Sequence, residues 1–155
     1  MSLIDAWQAA LAAEQQAAFG YTILGAQLPS GRQKLARQAQ SEHEGIRNST
    51  AEAIAAHGST PQAPAGDYPA LYPLAKKSPR MLAAQLEDDC AAAWRYLFVA
   101  ASTDSTDSTA AADKTTTALR KVAQARLTAS ALRALQWRKD LPPQRAFQPF
   151  PGIER

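Results

Sequence analysis

The stretch that decides the fold is residues 4–28, IDAWQAALAAEQQAAFGYTILGAQL. Ile4, Trp7, Leu11, Glu14, Ala18, Tyr21, Gly25 and Leu28 follow one another in alternating steps of three and four. That spacing marks one face of a helix packed lengthwise against other helices. Glu14 breaks the apolar pattern at its centre. A carboxylate inside a bundle must be hydrogen-bonded, paired, protonated or bound to a metal. What answers Glu14 is therefore the functional question the chain poses.

Working outward, Ser2 and Asp5 form a capping box ahead of this helix, and Pro29-Ser30-Gly31 ends it. The turn is so short that the next helix must return antiparallel. Helix 2 is predicted over 32–57, with Leu35, Ala39, Glu42, Ile46, Ser49, Ala53 and Ala56 inward and Gly58 as its stop. Residues 58–78 are rich in proline, with Gly66, Tyr68, Leu71 and Tyr72 between the prolines, and read as an ordered, non-helical crossover. Helix 3, over 79–101, starts at Pro79 with Ser78 as its cap. Its stripe is Leu82, Leu86, Cys90, Ala93, Trp94, Leu97 and Phe98, with Glu87 on one edge. Residues 102–113, built on a repeated Ser-Thr-Asp, read as a loop. Helix 4, over 115–139, turns Leu119, Ala123, Leu127, Ser130, Ala134 and Trp137 inward, and Pro142-Pro143 follows.

The expected fold is thus all-α. Residues 1–141 form a four-helix bundle with a long 58–78 crossover and a 102–113 loop, and residues 142–155 form a tail packed on the bundle through Phe147 and Phe150. A single long middle connection makes helices 2 and 3 parallel. Glu14, Glu42 and Glu87 then lie about 22, 16 and 12 Å from the end marked by Pro29. They share one region with His43 and Arg47. The matching layer of helix 4 falls near Thr128 to Leu132.

Composition bounds the rest. The chain has 155 residues and a formal charge of +3, and its one cysteine, Cys90, excludes an internal disulfide. A lone thiol and the lack of an apolar span or leader fit a cytoplasmic protein. Residues 114–155 hold nine basic and two acidic side chains. Arg120, Lys121, Arg126, Arg133, Arg138, Lys139 and Arg145 could meet nucleic acid or an acidic protein partner, although no nucleic-acid motif accompanies them.

Taken together, Glu14 with Phe19-Gly20-Tyr21, His43 with Arg47, Tyr68 to Pro73, Glu87 with Trp94-Arg95, Trp137, and Phe150-Pro151-Gly152 resemble an actinobacterial ferritin-like family of unknown function. The resemblance covers most of the chain and implies a ferritin-like four-helix bundle. Family members usually carry His directly after the helix 1 glutamate, where this chain has Gln15, and often an acidic residue near Ala129. Both departures remove metal ligands.

Two readings follow. The first is a ferritin-like bundle with a degenerate, metal-free interior polar cluster of Glu14, Glu42, His43, Arg47 and Glu87. It has no cofactor and acts as a binding or structural protein, as a homodimer. In it Arg47 satisfies a carboxylate, Cys90 is an ordinary buried thiol, and Trp7, Trp94 and Trp137 fill the core. The alternative is an iron- or manganese-binding oxidoreductase with one divalent ion on Glu14, Glu42, His43 and Glu87.

Overall fold

The computed structural model describes residues 2–72, 78–103 and 110–139. Four helices carry the structure: α1 (Leu3–Leu24), α2 (Ser30–Ala56), α3 (Pro79–Thr103) and α4 (Ala110–Arg138). No strand occurs among the described residues.

The helix ends follow from local chemistry. The Asp5 amide donates to Ser2 Oγ at 3.2 Å and the Ser2 amide donates to Asp5 Oδ2 at 3.1 Å, closing the capping box. The Ser2 hydroxyl, which donates to Asp5 Oδ2 at 2.7 Å, and then the Ser2 amide hold the Asp5 carboxyl below its ordinary range. α1 was expected to reach Leu28 but ends at Leu24, and Gly25–Gln27 form a 3₁₀ turn. Leu28 is extended because Pro29 follows it. At the end of α2, Gly58 takes φ +80°. Its amide reaches Ala55 O at 2.9 Å and the Ser59 amide reaches Ile54 O at 3.1 Å, the paired closure that a left-handed glycine allows. The expected 102–113 loop is shorter than its composition suggests. Ser102 and Thr103 belong to α3 and 110–113 to α4, and 104–109 lie outside the described residues.

Helix directions can be read from side-chain contacts. Arg32, early in α2, donates to Gln136 O at 2.9 Å, and Arg80, early in α3, donates to Trp137 O at 3.1 Å. The starts of α2 and α3 therefore meet the same end of α4. On α1, Trp7 lies against His57 and Tyr21 meets Glu87, so α1 opposes both. α2 and α3 are parallel, with α1 and α4 running the other way.

The connection after α2 is tied along α1. Gln8 Nε2 donates to Thr60 O at 2.7 Å, the Gln62 amide donates to Gln8 Oε1 at 3.0 Å, and Gln15 Nε2 donates to Gln62 O at 2.8 Å. Further on, the Tyr68 ring packs on Phe19 and Leu71 is buried. Gln15 thus serves the connection. Residues 73–77 of the expected crossover and the whole 142–155 tail lie outside the described residues.

Two features of the core differ from expectation. α2 buries Ala36, Ala39, His43, Ile46, Thr50 and Ile54, a face rotated from the expected one that replaces Glu42 with His43. Ala39 and Ile46 belong to both faces, and Ile54 belongs to this one alone. On α1 the tight approach is at Gly20. A Cβ there would stand 2.5 Å from Leu86 Cδ1, while at Gly25 nothing lies within 4 Å. Gly25, though on the stripe that packs lengthwise, marks no close approach.

Candidate functional site

Glu14 of α1, His43 of α2 and Glu87 of α3 are completely buried in one layer. His43 lies between the carboxylates, with Nδ1 2.6 Å from Glu14 Oε2 and Nε2 3.1 Å from Glu87 Oε1. A neutral imidazole has one N–H, whereas both of these bonds need a donor. Both bonds are donated when His43 is an imidazolium, the form that its surroundings favour. Burial opposes its charge, but the Glu14 and Glu87 carboxylates outweigh burial and raise its pKa to about 9.

Each carboxylate has further partners. Trp94 Nε1 donates to Glu14 Oε1 at 2.6 Å. Tyr21 donates its hydroxyl to Glu87 Oε1 at 2.7 Å and accepts from Trp137 Nε1 at 2.7 Å. Arg133 of α4 shares its Nε–H between Glu87 Oε1 and Oε2, at 2.9 and 3.0 Å. Burial pushes the Glu87 carboxyl up, but the bonds and charges of His43, Arg133 and Tyr21 prevail and hold it below its ordinary range. Burial and the neighbouring Glu87 charge push the Tyr21 phenol well above its usual range, so it remains a donor. The Tyr21 ring also stacks on His43, with centroids 5.6 Å apart. Two carboxylates thus face one imidazolium and one guanidinium, and the group is neutral as a whole.

At its outer edge Arg133 Nη1 donates to Glu42 Oε2 at 2.7 Å and Nη2 donates to Ser130 Oγ at 3.2 Å. The Glu42 side chain is 51% exposed, so Glu42 caps the cluster from outside. Among the described residues, the Tyr68 hydroxyl is the one buried side-chain polar atom without a partner. The cluster itself leaves none.

Of the expected residues, Glu14, His43 and Glu87 come together, Glu42 touches the rim through Arg133, and Arg47 is absent. Arg47 Nε donates to its neighbour Asn48 Oδ1 at 3.1 Å. One turn from His43, Arg47 is half-buried, and with His43 inward it lies off the buried face. The guanidinium that was assigned to Arg47 comes from Arg133, just beyond the Thr128–Leu132 layer. By sequence Arg133 falls among the basic residues of helix 4. The signal that could have found it is its spacing, three residues after Ser130 and four before Trp137, both on the inward stripe.

The aromatic residues were also under-read. Trp94 and Trp137 fill the core as expected, but both also donate into the cluster. Cys90 is fully buried, and Glu14, His43 and Cys90 each offer one ligand atom within 4.8 Å of the others.

The basic helix is less free than its sequence suggests. Arg120 lies over the Phe98 ring at 5.2 Å, Arg138 pairs with Asp88, and Arg133 serves the interior. Lys121 and Lys139 are exposed, and Arg145 lies outside the described residues. No described helix is long and apolar enough to cross a membrane.

Residues 6–155 match the model of a family described as a domain of unknown function, DUF4439. The fold is similar to the crystal structure of a conserved hypothetical protein, rv2844, from Mycobacterium tuberculosis. The TM-score is 0.68 and the identity 28%, over 88% of this chain and 95% of that one. These matches fit the actinobacterial domain of unknown function that the sequence resembles. Among curated proteins, none matches the chain.

Proposed function

The chain belongs to the DUF4439 family, whose description states no activity, and from that premise we propose a ferritin-like bundle whose interior is closed by protons in place of a metal pair. It acts as a binding or structural protein and has no resident cofactor. The observation that carries this reading is the placement of both His43 ring nitrogens against carboxylates, Nδ1 against Glu14 and Nε2 against Glu87, which an imidazolium satisfies in full. An imidazolium has no lone pair to give a metal.

The donor set also argues against two iron or manganese ions. Such a centre in a four-helix bundle takes carboxylates from all of its helices. Here α4 supplies Arg133, and its cation lies against both oxygens of Glu87. These residues do not fit a di-metal site, and no oxidative step is assigned to them.

The surface role falls to a second copy of the chain. Leu132 and Leu135, three residues apart on one face of α4, are 57% and 49% exposed, an apolar pair that a partner would cover. A homodimer through this face should dissociate in Leu132→Glu, as read by light scattering. A cytoplasmic setting accords with the free thiol of Cys90.

The test is stability without metal. Protein purified in chelator should melt where untreated protein does, and added Fe²⁺ or Mn²⁺ should not raise the transition, as a bound ligand would. Stoichiometric iron or manganese in untreated protein, lost in Glu14→Gln, would overturn the reading.

A further inference from the structure

We propose that Glu14, His43 and Cys90 form a binding site for one thiophilic divalent ion of the zinc class, which enters by displacing a proton from His43 and a proton from Cys90. The site rests on the proton-closed reading above, since those are the protons it exchanges.

The geometry is close to what such an ion needs. The three donor atoms lie within 4.8 Å of one another, on side chains that are fully buried and supplied by α1, α2 and α3. Around zinc, oxygen, nitrogen and sulfur donors stand roughly 3–4 Å apart. Glu14 Oε2 and His43 Nδ1 are 2.6 Å apart and separate to admit the ion.

The supporting bonds already have the form a metal site requires. A metal-binding histidine usually gives its other N–H to a carboxylate, which fixes its tautomer and orientation. His43 Nε2 does so to Glu87, itself held by Tyr21 and Arg133. Glu14 Oε1 stays anchored to Trp94 while Oε2 binds the ion.

Charge balance favours the exchange. Before it, Glu14 is an anion, His43 a cation and Cys90 a neutral thiol, which sum to zero. Afterwards Glu14 and the Cys90 thiolate are anions, His43 is neutral and the ion carries two positive charges, which again sum to zero. Two protons leave, one from Nδ1 and one from Sγ, and no electron moves. A doubly charged ion thus enters a dry interior without changing its net charge, which avoids the main penalty for burying charge. The thiolate also sets the selectivity, because sulfur favours zinc and cadmium over manganese or magnesium.

The charged and titratable groups around the site are Glu14 and Tyr21 of α1, His43 and Glu42 of α2, Glu87 and Asp89 of α3, and Arg133 of α4. Burial, then Glu14 and Glu87, push the Cys90 thiol well above its usual range. Because the ion takes the place of the proton between Nδ1 and Glu14 and of the thiol proton, affinity should rise with pH, with about two protons released per ion.

Cadmium titration of the full chain tests this, with the sulfur-to-cadmium ultraviolet band following Cys90 and calorimetry in buffers of different ionisation enthalpy counting protons. The expected result is one Cd²⁺ per chain, about two protons released, and loss of the band in Cys90→Ala. That variant should stay folded in this alanine-rich core. Binding unchanged in Cys90→Ala, or no band in wild type at pH 8, overturns the site. Release of a single proton overturns the part given to His43, a measurement that needs no His43 variant to fold. Protein that unfolds when stripped of metal overturns the proton-closed reading. Protein that stays folded in chelator yet takes no cadmium overturns this site alone.

Discussion

His43 and Arg133 are the residues on which the interior depends, and each makes a prediction. The His43 pKa rises from an ordinary 6.5 to about 9 on folding, worth on the order of 3 kcal/mol. Because the folded value is the higher one, this contribution is complete below pH 6.5 and disappears as pH rises through about 9. Glu87 works in the opposite sense. Its folded pKa is depressed, so its contribution is present above its ordinary 4.5 and is lost as pH falls through the lowered value. Urea unfolding across pH 4–10 should show a plateau between those limits, and the alkaline decline should vanish in His43→Gln. Arg133→Ala removes one of the two cations on the buried Glu87 carboxylate and should cost about 1.5–3 kcal/mol. Arg47→Ala should stay within about 0.5 kcal/mol, because among the described residues Arg47 donates to its exposed neighbour Asn48. Equal losses in the two variants would restore the role that spacing alone suggested for Arg47. The sequence exposed Glu14 as out of place on an apolar face, and that was enough to locate the cluster. It did not separate Glu42 from His43, because both positions of α2 fit a three-and-four step through Ala39 and Ile46.

At the scale of elements, glycine shows what periodicity hides. Gly20 and Gly25 are equally costly inside a helix by propensity, and only the packing of α3 distinguishes them. Leu86 sits over Gly20 and is itself buried in the core, so it has little room to turn aside. Gly20→Ala should therefore destabilise by about 1–3 kcal/mol. Gly25 has helical φ −54° and open space, so Gly25→Ala should be neutral or stabilise by about 0.4–1 kcal/mol. Thermal melts of the two variants would check the contrast. Helix number, the capping box and the Gly58 stop were legible because each has a local signature. The end of α1 was not, because the pre-proline restraint at Leu28 acts against a continuing apolar stripe. The boundaries of α3 and α4 were obscured by the polar Ser-Thr-Asp tract, whose composition conceals the turns it shares with them.

At the scale of the molecule, the parallel arrangement of α2 and α3 followed from one long connection between short ones, a topological argument that needs no side-chain detail. The cluster then joins all four helices: Glu14 and Tyr21 from α1, His43 from α2, Glu87 from α3, and Arg133 with Trp137 from α4. No helix can leave without stranding a charge or a donor, so unfolding should be a single event. The arrangement also makes the interior visible. Trp94 points its indole N–H at Glu14, and Trp137 reaches Glu87 through the Tyr21 hydroxyl. An indole's emission responds to the electric field around it, and losing the His43 proton changes that field at both rings. The intrinsic fluorescence of the folded protein should therefore titrate near pH 9, before unfolding, and Trp94→Phe should remove much of the change. A spectrum flat across that range in folded protein would show that His43 does not titrate there. Two of the three tryptophans thus serve as built-in optical probes of the charge state at the centre of the bundle.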